Sequence, residues 1–368
     1  MQIKKLKRVL GLAVAASLAF AGTAAVSANA AQLSLVRIAI GVAPTSLNPN
    51  TPTTNLVQNS DIAYLTGAQF NYFDNTPKIV KNTKLGSYKV ISKDPFTVKY
   101  TVNKGVKWSD GTAIDAVDLL VPYVTSSGYF DDSASGTEFK SADKGKGLNL
   151  VSKLPTIGDG GRSLTFVYDK GYYSDWEQFY DLGLPAHGLT KLAFPGLTNA
   201  EAKAKFLDVA TKKDFASLKK IADKFNTGYN FLNTAGINDN TDPNLLITSG
   251  AYKFVSALPG KSVTLAANKT FKAGPAAAVS KIQFKVIDSS TWPQALQNGE
   301  IEVFAGSLSV DTVNSLKKID GLAHLLQRDN ETLMHQYEEK LIAGCSHYKH
   351  NPLALQLIYE HAVLLELE

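Results

Sequence analysis

Tyr88 to Leu119 reads YKVISKDPFTVKYTVNKGVKWSDGTAIDAVDL, and the reading of this stretch decides the fold. Phe96, Val98, Tyr100 and Val102 alternate with Thr97, Lys99 and Thr101, the period of a strand with one buried face. Asp110-Gly111 is a turn pair in which glycine supplies a positive φ. Thr112 stands three residues before Asp115, a capping-box spacing that predicts a helix start. Ile114, Val117, Leu120, Val121 and Val124 give that helix one apolar face, and Pro122 is expected to kink or end it. The order is therefore strand, turn, strand, glycine turn, helix. On this reading Asp110, Asp115 and Asp118 serve as turn, cap and solvated helix face rather than as ligands.

A second block lies between Thr248 and about Val303. Lys281 to Ile287 alternates Ile282, Phe284 and Val286, and Trp292 to Val303 begins as a helix, with Ser290 or Thr291 as cap, Pro293 in the first turn and Gly299 at the exit. Strand, helix, strand predicts a crossover joining two strands of one sheet, usually parallel.

Both blocks resemble the family 5 extracellular solute-binding proteins, the oligopeptide-type receptors of ABC importers. Val98 to Asp118, with Lys104-Gly-Val-Lys-Trp-Ser-Asp-Gly111 at its centre, resembles one family motif. Thr248-Ser-Gly-Ala-Tyr-Lys-Phe254, Val263 to Phe271, Lys281 to Ile287 and Trp292 to Val303 resemble others in the same order. Ala43-Pro-Thr-Ser-Leu-Asn-Pro49 resembles the loop after the family's first strand, and Leu182 to Leu189 its return segment. The resemblance covers roughly Leu33 to Gly321.

The resemblance implies a type II periplasmic-binding-protein architecture: α/β, bilobal, with mixed sheets and an incomplete C-terminal lobe. The expected division is a signal peptide over 1–30 and a partial solute-binding domain over 31–321. Within the domain, lobe I takes about 31–50 and 186–275, an extra lobe about 51–185, and the start of the next lobe about 276–321. The tail 322–368 matches nothing in the pattern. It holds five of the six His, the one Cys and the one Met besides Met1, a change of composition expected of a frameshift or fusion junction near Gly321.

Lys4, Lys5, Lys7 and Arg8 precede the apolar run Val9 to Val26, and Ala28-Asn29-Ala30 is a cleavage site, so export is expected. No Cys follows the apolar run, so no lipid anchor is read there. The whole chain carries a formal +5, but the first thirty residues hold four basic and no acidic side chains, which leaves +1. That balance gives no reason to invoke nucleic acid or an anionic membrane. One Cys excludes an intrachain disulfide, and 44% hydrophobic residues suffice for a large core without one.

Catalytic patterns are lacking. No G-x-S-x-G, H-E-x-x-H or phosphate-binding glycine loop occurs. Ser217 to Lys220 and Ser315 to Lys318 both fit S-x-x-K, yet no K-T-G accompanies them, and helix surface is the plainer reading. His187 stands alone in what reads as a loop. Cys345, His347 and His350 do not follow an attested zinc spacing, so neither metal nor cofactor is expected.

What remains is recognition without chemistry. The resemblance implies a monomeric receptor that presents a peptide ligand to an ABC permease outside the cytoplasmic membrane, in the periplasm or at the cell surface. It implies ligand contacts at Leu47 in the first loop, Ser249 before the Gly-Ala-Tyr turn, and Phe271 in place of a family tyrosine. Two alternatives stay open: a secreted fragment of a disrupted gene without a ligand, and a same-fold receptor for nickel chelate, haem or oligosaccharide.

Overall fold

The computed structural model describes residues 34–73, 78–169 and 180–304, together with 311 and 314. The predicted signal segment, the S-x-x-K at Ser315 and the Cys345–His350 cluster lie outside these residues.

The chain opens with β1 (Val36–Ile40) and α1 (Val57–Thr66), then the hairpin β2 (Asn71–Phe73) and β3 (Ile79–Lys81). The stretch quoted above follows as β4 (Gly86–Lys93), β5 (Phe96–Val102) and α2 (Ala116–Ser126). Next come β6 (Thr156–Gly158), β7 (Ser163–Val167) and the helices α3 (Ala186–Ala193), α4 (Asn199–Lys212) and α5 (Phe215–Thr227). The last elements are β8 (Tyr252–Leu258), β9 (Ser262–Ala267), β10 (Lys281–Val286), α6 (Trp292–Gln297) and β11 (Val303–Phe304).

These strands make two main sheets. One is antiparallel, in the order β4-β5-β7-β6. The other is mixed, in the order β11-β1-β10-β9-β8. In it β1 lies between β10 and β11 and runs parallel to both, while β8, β9 and β10 form an antiparallel meander. The predicted crossover through α6 is therefore present, with the first strand of the chain filling the gap between its two strands.

Alternation sets what each sheet buries. Phe96, Val98, Tyr100 and Val102 point inward from β5 and meet Leu164 and Phe166 of β7. Tyr100 packs against Tyr180 with ring centroids 4.2 Å apart and against Phe70 at 5.2 Å. This core is closed by α2 to α5 and contains Trp108, Leu119, Tyr123, Phe206 and Phe225. A second core joins Val36, Ile38 and Ile40 of β1 to Val263, Leu265, Ile282 and Phe284, with Ile62 and Leu65 of α1 above them. On the other face of β1, Ala39 leaves room for Trp292 and Ala295 of α6.

Several expectations are corrected. The capping box of α2 is Asp115 with Asp118: the Val117 N–H donates to Asp115 Oδ1, and the Asp115 N–H donates to Asp118 Oδ2. Asp118 is not a solvated face residue; it is fully buried, 2.6 Å from Lys203 Nζ, and accepts from the Ala186 N–H at the start of α3. The helix runs through Pro122 to Ser126. An interior proline costs about 3 kcal/mol, and burial of Leu119, Leu120, Tyr123 and Val124 offsets it. Residues 50–82 contain α1 and the small hairpin, and 126–150 buries Phe130, Phe139, Thr137 and Ser141. His187 lies in α3, not in a loop. A side-chain cap before α6 is also absent; instead Asp288 caps the short 3-10 turn Ser289–Thr291 that leads into it.

Thr198 and Glu201 form a capping box at the start of α4, and α5 buries Leu218, Ile221, Ala222 and Phe225. Ser217 lies in the first turn of α5, its N–H donating to Asp214.

The Asp118–Lys203 pair yields a contrast. Lys203→Met is expected to cost about 3–5 kcal/mol, because it strands a buried carboxylate. Lys212→Met breaks only the exposed pair with Asp208 and is expected to cost less than about 1 kcal/mol. Urea unfolding of the two variants beside the parent measures the difference.

Candidate functional site

The Trp108-Ser-Asp-Gly111 turn is where the two halves of the described chain meet. Its own closure is ordinary: the Trp108 N–H donates to Thr112 O, the Gly111 N–H donates to Trp108 O, and Gly111 takes φ +90°. Ser109 then makes a reciprocal pair with Thr248. The Ser109 N–H donates to Thr248 O at 2.8 Å, and the Thr248 N–H donates to Ser109 Oγ at 3.0 Å. The first motif is thus bonded directly to the second.

Asp110 secures the same turn from the other side. Its carboxylate accepts from the Thr112 N–H and hydroxyl, from Asn199 Nδ2 at the start of α4, and faces His187 Nε2 of α3 at 3.0 Å. Burial pushes this carboxyl up, but the bonds from His187 and Thr112 together outweigh it and hold it well below the usual carboxylate range. His187 is fully buried while Asp110 keeps contact with solvent, and the pair clamps the turn to α3.

Downstream of the clip, Thr248-Ser-Gly250 closes on the end of α1. The Ser249 and Gly250 N–H groups both donate to Thr66 O, and the Ala68 N–H donates to Ser249 Oγ at 2.9 Å. Asn268 Nδ2 donates to Gly250 O, and the Phe271 N–H donates to Asn268 O. At the other end of α1, Asn59 Oδ1 accepts from the Thr45 and Ser46 N–H groups, while its Nδ2 donates to Thr45 Oγ1 and Thr54 O. The Leu47 N–H donates to Tyr229 O.

This fixes the places of the three residues singled out in the sequence. Leu47 and Phe271 are partly buried, and each packs against both large cores, so each sits where the cores adjoin. Ser249 is buried and its hydroxyl is already occupied by Ala68. The three are linked through α1: Leu47 through the loop on Asn59, Ser249 through Thr66, and Phe271 through Asn268 and Gly250. Asn59 escaped the sequence reading, because α1 has no side-chain cap and its apolar residues do not gather on one face.

Asp61 lies in the same helix. Burial alone pushes its carboxyl up to about 7. A polar hollow of about 500 Å³ is bordered by Thr51, Thr53, Glu138, Lys140, Asp223 and Asn226. None of Leu47, Ser249 or Phe271 lines it. Among the described residues no group of three or more His, Cys, Asp or Glu is arranged to hold a metal, and no helix is long and apolar enough to cross a membrane.

Comparison with known proteins agrees with this architecture. Residues 176–341 match the family described as bacterial extracellular solute-binding proteins, family 5 Middle. The match begins after the Trp108 motif and continues past Gly321. No curated protein matches in sequence. Among solved structures, the periplasmic EDTA-binding protein EppA aligns with a TM-score of 0.59 at 20% identity, covering 78% of this chain and 46% of that one. The oligopeptide-binding protein AppA from Bacillus subtilis, in complex with a nonapeptide, gives 0.52 at 18%, covering 78% and 47%. Lactococcal OppA, complexed with an endogenous peptide in the closed conformation, gives 0.51 at 16%, covering 78% and 48%. The chain thus spans about half the length of these proteins. It resembles family 5 in sequence over the matched residues, and its fold is that of the type II periplasmic binding proteins.

Two variants test the α1 bracket. A Cβ at Gly250 would lie 2.5 Å from Thr66 C and 2.6 Å from Leu65 O, both backbone atoms that cannot swing aside. Gly250→Ala is therefore expected to lower the melting temperature by several degrees, corresponding to about 1–3 kcal/mol of overpacking. Asp61 has a folded pKa raised above its unfolded value, so its ionisation costs stability increasingly from about pH 4 up through about 7. Asp61→Asn is expected to raise the melting temperature at pH 8 and leave it unchanged at pH 4, read by calorimetry at both.

Proposed function

We propose that this chain, which resembles the family 5 solute-binding proteins, is the solute-capturing part of an ABC importer, and that its ligand is an oligopeptide. The observation that carries this reading is the bracket made by α1. One helix holds the first loop at one end and the Ser249–Gly250 turn at the other, so the two stretches that border a ligand in this fold form one rigid wall. Rigid loop ends suit recognition, because little order is lost on binding.

On this reading Leu47 and Phe271 offer apolar surface to the ligand, and Ser249 sets the position of its neighbours' backbone. An extended peptide satisfies main-chain donors and acceptors whatever its sequence. Lobe closure around it is a hinge motion that turns occupancy into a shape, which a permease at the membrane reads. The protein acts as an exported monomer, in the periplasm or at the cell surface, with no enzymatic role and no nucleic-acid partner. The peptide complexes among the structural neighbours support this choice of ligand.

A metal chelate is the second reading, favoured by one observation: the EDTA-binding protein superposes with a higher TM-score than either peptide complex. Thermal shift of the full chain with peptide pools and with metal–EDTA chelates separates the two, since a ligand that prefers the native state raises its stability. Because the match spans about half of each relative, peptides are expected to bind more weakly than about 1 μM, or about −8.2 kcal/mol, and to shift melting only at millimolar concentration. Micromolar or tighter peptide affinity would refute that expectation. A shift with chelates alone moves the assignment to the second reading, and no shift with either removes both.

A further inference from the structure

Three segments wall the polar hollow of about 500 Å³: residues 51–53 after the first loop, residues 136–140, and the last turn of α5. Bonds to main-chain atoms tie these walls together. Asn226 of α5 uses both ends of its amide, since its Nδ2 donates to Glu138 O at 2.8 Å and its Oδ1 accepts from the Lys140 N–H at 2.8 Å. Thr137 Oγ1 donates to Phe215 O, and the Ala142 N–H donates to Asn50 O. Thr137 and Phe139 are buried, and Glu138 and Lys140 alternate with them on the exposed side. The hollow is thus preformed, and its volume is that of a small-molecule site.

Its polar groups are unequally committed. Asp223 is paired with Lys219 at 2.9 Å. The Thr51 hydroxyl is bonded to those of Thr53 and Thr54. Among the described residues, the Glu138 carboxylate and the Lys140 ammonium have no hydrogen bond or ion pair, with each other or with any other group, although both residues border the hollow. This selects the guest. A lone cation would meet the charge of Lys140, and a lone anion would meet those of Glu138 and Asp223. A neutral solute would leave both free charges unanswered. A molecule that carries an ammonium and a carboxylate answers both at once, through charge-assisted hydrogen bonds, the stronger kind.

We propose that this hollow is a second solute site, for a small zwitterion of the amino-acid class, whose ammonium meets Glu138 and whose carboxylate meets Lys140. Asn226 is a positioning residue there, because it holds the main chain beneath both charged side chains. The proposal does not rest on the peptide reading, since none of Leu47, Ser249 or Phe271 lines the hollow.

Nitrogen-15 NMR titration of the full chain with glycine tests this. The Asn226 side-chain amide and the Lys140 N–H are the reporters, and glycine is expected to move both. N-acetylglycine lacks the ammonium and glycinamide lacks the carboxylate. Each is expected to need at least about tenfold more for the same movement, the loss that goes with one charge-assisted hydrogen bond. Glu138→Gln and Lys140→Met change exposed side chains, and each is expected to weaken glycine by at least about tenfold. Lys212→Met, outside the hollow on α4, is expected to leave the titration unchanged. Reporters that stay still with glycine, an equal response to all three probes, or a glycine response that survives both variants would each overturn the proposal.

Discussion

The described structure depends on one reciprocal contact, the two hydrogen bonds between Ser109 and Thr248. They join a turn at the end of the antiparallel sheet unit to the segment that leads into β8 of the mixed sheet. The contact needs a particular set of neighbours. Trp108 fills the first core behind it, Gly111 takes the positive φ that closes the turn, and Asp110 makes two contacts with Thr112 inside the turn and one each with His187 of α3 and Asn199 of α4. Ser109 supplies a backbone donor and a side-chain acceptor within one residue, which lets a single position pair twice. Two cores are thereby locked through four consecutive residues.

The candidate binding wall inherits its rigidity from that lock. Thr248 is held by Ser109, the next two N–H groups close on Thr66, and the far end of α1 holds Thr45 and Ser46 through Asn59. These are backbone-directed bonds, so the loops keep their course whatever side chains they carry. The scaffold thus fixes the main chain, while Leu47 and Phe271 stay partly buried where the two cores adjoin. The contact between buried His187 and the Asp110 carboxylate ties α3 to the turn.

Local periodicity made much of the architecture legible. The alternation in β5 and β10 and the Asp110-Gly111 turn appear as read, because each is decided by neighbours within a few residues. The crossover through Trp292 was legible for the same reason. The failures share a cause as well. Asp118 read as solvated because nothing near it in sequence reveals Lys203, its partner 85 residues on. The helix through Pro122 persists because the core rewards Leu119, Leu120, Tyr123 and Val124, a gain invisible in a helix-breaker rule. α1 lacks both a cap and a clear apolar stripe, so its existence is a tertiary outcome.

The sequence by itself determined β5, the glycine turn after it, the start of α2, the crossover through α6 and the resemblance that points to the fold, since these rest on short-range pattern and residue type. Only the tertiary structure decided that β1 enters between β10 and β11, that Asp118 is buried on Lys203, and that α1 brackets Leu47 and Ser249 from its two ends. Each of those facts is a pairing between residues far apart in the chain. Hydrogen-bond geometry and burial select such partners from many chemically equivalent candidates, and no local pattern distinguishes among them.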